Sequence, residues 1–391
     1  MEPRRLLLLN LGHALDHLFM LLFPAVAALA AADIGDSYGS VLVLSTGSFI
    51  AFGACSLPAG WLGDRWGRER MMTIFFVGIG GAGILAGLAE SFWHLAASLT
   101  LLGMFAAIYH PVGIAMVAKG GGNVGRRLGV NGVWGNMGVA ASALAIGAFA
   151  DFAGWRTAFI LLGSFSILAG IYWTRIRSVP VEESAASKTA DHGPPAIGWQ
   201  RVLLVIGISA AIGGFIFNSM TVALPKVLDD RLAEFAFSAT EIGAIASAVY
   251  AIAAFSQIVV GRAIDRHAIK PIFLAVTAGQ ALALFIAINL DGWAMVVAAA
   301  AVMVLVFGQI PINDTLVARY TPDRWRGQVY AVKYVLTFTV SAAVVPGLSW
   351  LYDEGGGFPA MFLAGAVAAA VITVAVTLLP GRRPAAVAAA E

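Results

Sequence analysis

The sequence predicts an all-α membrane protein of twelve transmembrane helices arranged as two six-helix pseudo-repeats. Three observations carry this expectation. Apolar residues make up 60% of the 391-residue chain and charged residues only 12%, about half the charged share of a soluble domain. The apolar residues run in blocks of about 18–25, long enough to cross a ~30 Å hydrocarbon core as helices, and the short alternating segments of a membrane β-barrel are missing. Motifs of the first half also return about 200 positions later.

The blocks fall at about 6–31, 41–63, 71–89, 93–118, 128–150 and 157–176, then at about 202–225, 240–262, 271–289, 293–317, 328–351 and 358–379. Arg4 and Arg5 ahead of the first block resemble the start of a signal peptide. The block is too long for one and carries Asn10, His13, Asp16 and His17, so it reads as a transmembrane helix. Residues 177–200 are rich in Ser, Ala, Pro, Glu and Lys and read as a flexible linker. The expected division is a first bundle (1–176), a cytoplasmic linker (177–200), a second bundle (201–380) and a tail (381–391).

Charge sets the expected orientation. With the N-terminus in the cytoplasm, 20 of the 24 Lys and Arg residues fall on the inner side, among them Arg65, Arg68, Arg126, Arg266, Arg319 and Arg382. The opposite loops carry acids such as Asp33, Asp36, Glu90, Asp229 and Asp353. The positive-inside rule then puts both termini in the cytoplasm, in the inner membrane, and an odd helix count would spoil the alternation. The single Cys55 excludes an internal disulfide.

Gly60-Trp61-Leu62-Gly63-Asp64-Arg65 closes the second block, and Gly261-Arg262-Ala263-Ile264-Asp265-Arg266 closes the eighth, 201 positions later. Pro24 and Pro225 share that offset, and Pro111 and Pro311 are 200 apart. In the first copy, Gly60 and Gly63 permit close helix contact, Asp64 can pair with a nearby Arg, and Arg65 and Arg68 suit the headgroup zone. With Gly67 in the turn, the run Gly60–Arg70 resembles the loop signature of the major facilitator superfamily. The resemblance implies two parallel six-helix repeats, and a loop that helps hold the inner side closed as the protein changes conformation; Asp265 and Arg266 form the weaker copy.

A narrower resemblance lies in His13, Asp16-His17, Tyr109-His110-Pro111, Gly125-Arg126 and Val133-Trp134-Gly135-Asn136-Met137-Gly138. These are similar to the fosmidomycin-resistance branch, which implies proton-coupled drug export. The chain departs from that branch at Asp16-His17, where Asn-Asp is usual, and at Val112, where an acid is usual.

Ionisable groups inside a span cost at least ~2.5 kcal/mol at mid-membrane and persist where they face a partner or a cavity. Asn10, His13 and His17 share one face of the first helix, and Asp16 follows His13 by three. His110, on the oppositely directed fourth helix, is expected at similar depth. A His–Asp pair can take up and release a proton near neutral pH. Asp16 and His110 are therefore the expected coupling pair, supported by His17 or His13, and Asn131, Trp134 and Asn136 are cavity candidates on the fifth helix. The competing readings are buried hydrogen bonds that only join helices, and a metal site of His13, His17 and His110, whose first two members have the i, i+4 spacing that clasps one ion.

In the second half, Asn218 stands opposite His17 by the repeat offset, and Gln309 and Asn313 are further cavity candidates. Asp314 and Lys333 are expected to pair, as a gate or as a static clamp between adjacent helices. The chain has no Gly-x-x-x-x-Gly-Lys-[Ser/Thr] run and no nucleophile–base set, so neither ATP-driven transport, nor an enzyme, nor a cofactor is expected. The expectation is a monomeric secondary transporter that exchanges protons for a small molecule and engages no nucleic acid. An importer of a nutrient or a copper or zinc complex, and a non-transporting sensor or scaffold, are the alternatives.

Overall fold

The computed structural model describes residues 3–119, 124–176, 199–321 and 323–380. The expected linker and tail lie almost wholly outside these residues.

Twelve long helices are present. They are α1 (Pro3–Ile34), α2 (Tyr38–Trp66), α3 (Arg68–Gly87), α4 (Phe92–Lys119), α5 (Val124–Ala153), α6 (Trp155–Arg175), α7 (Trp199–Arg231), α8 (Ala239–Arg266), α9 (Ile269–Ala287), α10 (Gly292–Tyr320), α11 (Asp323–Asp353) and α12 (Gly357–Val376). Among the described residues, eleven are long and apolar enough to cross a membrane; α11, at 31 residues, completes the set. The twelve-helix, two-repeat architecture expected from the sequence is the one observed.

Contacts divide the chain into two compact units. The first holds Met1–Ser184, Thr221–Ala251 and Ser341–Gly355; the second holds Ala185–Met220, Ile252–Val340 and Gly356–Glu391. The first unit thus takes in the C-terminal ends of α7 and α11 and the N-terminal half of α8. Specific bonds hold them there. Asp151 at the end of α5 accepts hydrogen bonds from the backbone N–H and hydroxyl of Thr240, at the start of α8. Asp353 accepts one from Ser37 at 2.7 Å, and Ser349 donates to the Gly39 carbonyl at 2.8 Å.

Within the first unit, α3 lies tightly along α6. A Cβ on Gly80 would sit 2.5 Å from the Gly163 carbonyl oxygen, and a Cβ on Gly163 would sit 2.5 Å from that of Gly80. The crossing is backbone on backbone, which only glycine permits. Ser166 reinforces it by donating to the Phe76 carbonyl at 2.8 Å. Buried Arg5 joins three helices: it pairs with Glu69, donates to the Ile176 carbonyl at 2.9 Å, and lies over the Trp173 ring at 4.2 Å. In the second unit, Lys270 ties α9 to the end of α12 by donating to the Thr377 and Leu379 carbonyls.

The crossing makes a sharp prediction. Gly80→Ile must push two backbones apart, and overpacking of this kind costs about 1–3 kcal/mol. Gly81→Ala, one residue on, adds a Cβ that meets nothing within 4 Å. Thermal unfolding in detergent is expected to show a lowered midpoint for the first variant and an unchanged one for the second.

Candidate functional site

Helix α4 is not a uniform α-helix. Its residues Tyr109–Gly113 form a π-helical turn, and the N–H of Ile114 bonds back to the Tyr109 carbonyl. Pro111 explains the irregularity: it has no N–H to give, and its ring cannot sit against the preceding turn. The widened turn presents Tyr109 and His110 side by side towards α1. Gly60 and Gly63 of the loop motif pack under it, against Pro111 and Val112.

Helix α5 reaches α1 by two glycines. A Cβ on Gly138 would lie 2.1 Å from the Ala14 carbonyl, and one on Gly135 would lie 2.7 Å from the His13 ring. This close approach places Asn131 among the polar groups of α1. Its side-chain amide donates to Asn10 Oδ1 at 2.9 Å and to the Tyr109 hydroxyl at 2.8 Å; that hydroxyl in turn donates to the Leu9 carbonyl at 2.6 Å. The Asn131 backbone carbonyl meets His13 Nδ1 at 2.8 Å. His13 is stacked on Tyr109, with ring centroids 4.9 Å apart.

Beside this network sit the charged groups. His17 Nε2 lies 3.2 Å from His13 Nε2. His110 Nε2 lies 3.2 Å from Asp16 Oδ2. The Asp16 side chain is 0% exposed and that of His110 is 21% exposed. Neither Asp16 oxygen accepts a well-formed hydrogen bond among the described residues. An ionised carboxylate cannot stay in such a place without a compensating cation. His110 is the neighbour able to supply one, and it also borders the solvent-accessible side of the cluster. One ring nitrogen from each of His13, His17 and His110 lies within 4.8 Å of the others. The structure therefore brings His13, Asp16, His17, His110 and Asn131 together. Trp134 and Asn136 are half-buried on the same helix and make none of these contacts.

In the second unit, Gln309 donates to Ser209 at 2.9 Å and Ser209 donates to Asn313 at 2.8 Å, a buried neutral chain between α7 and α10. Ser209 escaped the sequence reading because a lone serine in an apolar span carries no distinguishing signal. Asn218 instead bonds back to the Gly214 carbonyl of its own helix at 2.8 Å. Asp314 and Lys333 form an ion pair. In the loop motifs, Arg68 pairs with Asp64 at 2.9 Å and Arg65 lies 5.4 Å over Trp61. In the second copy Asp265 pairs with Arg319, which also donates to the Ile264 carbonyl at 3.2 Å.

This arrangement, with polar groups gathered inside a two-repeat helical bundle, matches the family profile described as Major Facilitator Superfamily over residues 11–233 and 206–391. The chain belongs to that superfamily. Members of that superfamily are membrane transporters and are not, in general, enzymes. The fold agrees with solved superfamily structures. The xylose transporter of E. coli in an inward-open conformation gives a TM-score of 0.75 at 14% identity, covering 98% of each chain. A D-xylose–proton symporter gives 0.76 at 15% identity, covering 94% of this chain and 96% of the other. Among curated relatives, a puromycin resistance protein of Streptomyces alboniger is 30% identical over 140 residues, 35% of this chain and 28% of that one. A Na(+), Li(+), K(+)/H(+) antiporter of Planococcus maritimus is 33% identical over 105 residues, 26% of this chain and 24% of that one. The matched segments thus span about a quarter of those relatives.

The Asp314–Lys333 pair yields an asymmetric prediction. The Lys333 side chain is 11% exposed and that of Asp314 is 44% exposed. Asp314→Ala takes a carboxylate from the more buried charge and is expected to cost about 1–3 kcal/mol; Lys333→Met takes a cation from the wetter one and costs less. A double-mutant cycle read by thermal unfolding checks the order, and equal losses would contradict it.

Proposed function

We propose that this superfamily member is a proton-driven exporter of a small organic molecule across the inner membrane, with both termini cytoplasmic. Asp16 and His110 exchange the coupling proton. The observation that carries this reading is the fully buried Asp16 carboxylate held 3.2 Å from a partly exposed imidazole. A proton arriving from water meets His110 first and passes to Asp16 behind it, and its return through His110 to water on the other side of the membrane, after the protein changes conformation, completes one cycle. His13 and His17 extend the relay, and Asn131 holds His13 in place. Trp134, Asn136, Asn218, Gln309 and Asn313 are assigned to substrate contact, and the Asp314–Lys333 pair to gating.

Two features support export of an organic molecule over other cargo. Two relatives are named as a puromycin resistance protein and a probable actinorhodin transporter, names that refer to organic compounds. The residues similar to the fosmidomycin-resistance branch include this buried pair and its neighbours His13, His17 and Tyr109. The basic residues collected on one side of the spans support the orientation.

The test is reconstitution into proteoliposomes with a trapped pH dye and a panel of aromatic drugs. Wild type is expected to couple drug movement to proton movement. Asp16→Asn and His110→Ala are expected to lose at least ~100-fold of the coupled rate, as removal of a proton-transfer group does, while still exchanging labelled drug for unlabelled drug. Unchanged proton dependence in both variants would reject the assignment.

A further inference from the structure

Proton exchange needs Asp16 and His110 alone, yet two more imidazoles crowd against them, and three such nitrogens together can do more than extend a relay. We propose that His13, His17 and His110 form a binding site for one divalent first-row transition-metal ion of the zinc class, with Asp16 as its charge-compensating carboxylate.

The geometry begins with His13. Its Nδ1 faces the backbone carbonyl of Asn131 at 2.8 Å. A carbonyl only accepts, so Nδ1 carries the proton and Nε2 presents a bare lone pair. That is the arrangement that fixes a metal-ligating histidine: one nitrogen held by an acceptor, the other free to bind. That nitrogen meets His17 Nε2 at 3.2 Å: it accepts a hydrogen bond when His17 carries its proton on Nε2, and both nitrogens present lone pairs when His17 carries it on Nδ1. Two imidazole nitrogens on one tetrahedral zinc, each at ~2.0–2.1 Å, stand about 3.3 Å apart. The pair is thus already spaced as two ligands, one helical turn apart on α1. The Gly135 backbone packs against the His13 ring and limits its movement.

The third nitrogen comes from His110, and all three lie within 4.8 Å of one another. Closing that spread to tetrahedral spacing takes at most about 1.5 Å of movement. The partly exposed His110 side chain can make it, whereas His13 cannot. The fourth feature is charge. A dication needs a nearby anion, and Asp16 is 0% exposed, with neither oxygen accepting a well-formed hydrogen bond among the described residues. A metal ion satisfies that carboxylate as a proton would.

The donor set also selects the ion. Three imidazoles and a carboxylate suit zinc, cobalt, nickel or copper in the divalent state. Thiolate is missing from the cluster, since Cys55, the sole cysteine, is not among its members. That disfavours monovalent copper. Magnesium and calcium, which take oxygen ligands, are excluded by the same chemistry. Metal and proton compete for the same groups, but metal binding does not require that protons drive transport.

The test uses the purified full chain in detergent, with cobalt(II) as a visible probe and zinc(II) as competitor. One equivalent of cobalt is expected to give the intense visible bands of four-coordinate cobalt, and zinc is expected to bleach them. His17→Ala and His110→Ala should each weaken cobalt binding at least ~10-fold. His94→Ala and His267→Ala, at exposed positions away from the cluster, should leave it unchanged. X-ray absorption on zinc-loaded wild type, which needs no variant to fold, should show three imidazole nitrogens at ~2.0–2.1 Å. Failure to bind at ~100 μM cobalt would overturn the proposal. So would the pale spectrum of six-coordinate cobalt, two or fewer imidazoles on zinc, or binding unaffected in the cluster variants. Loss of drug-coupled proton flux with intact metal binding would instead count against the proton reading alone.

Discussion

A carboxylate sealed inside a bundle of apolar helices is the constraint around which the first half of this transporter is built. The Asp16 side chain is fully buried, and neither of its oxygens accepts a well-formed hydrogen bond among the described residues. In a low-dielectric interior such a group must be neutralised by a cation within a few ångströms, at a cost otherwise of several kcal/mol. The nearby architecture answers that demand. Pro111 breaks the hydrogen-bond ladder of α4 and opens the π-helical turn that presents His110. Gly135 and Gly138 let α5 approach α1 closely enough for Asn131 to fix His13 and brace Tyr109. The groups that hold the cluster are neutral hydrogen-bonding residues, so the charge stays concentrated in a few titratable side chains.

The second half keeps the duplicated frame without the duplicated chemistry. The Gly-x-x-x-Asp-Arg motif and the helix prolines recur at nearly constant offset. Yet the position matching His17 holds Asn218, which bonds back to the Gly214 carbonyl, and a buried polar chain there is neutral: Ser209, Gln309 and Asn313. Its charged pair, Asp314 and Lys333, is self-compensating. Duplication preserved what packs helices. It did not preserve the cluster of titratable side chains found in the first half.

Much of this was legible in the chain itself. The hydrocarbon core acts on each segment separately: every span must be apolar, long enough, and internally hydrogen-bonded. Those demands are local, so twelve helices and their duplication follow from the order of residues. The ionisable groups on α1 were equally visible, because a charge in an apolar run stands out. The roles of Arg5 and Ser209 were not. Arg5 looked like an ordinary flanking cation until Glu69, Trp173 and the Ile176 carbonyl closed around it.

What the tertiary structure decided is which of these groups meet. His13 and the carbonyl that orients it are 118 residues apart, and Tyr109 is 100 from the carbonyl it bonds. Such encounters depend on helix rotation and on close crossings set by single glycines, which no local pattern encodes. The same packing left Trp134 and Asn136 outside the cluster while drawing in Asn131 from the same helix. The sequence by itself determined the spans and the stock of polar groups, since membrane insertion judges each helix alone. Their assembly into one site was decided by contacts between helices far apart in the chain.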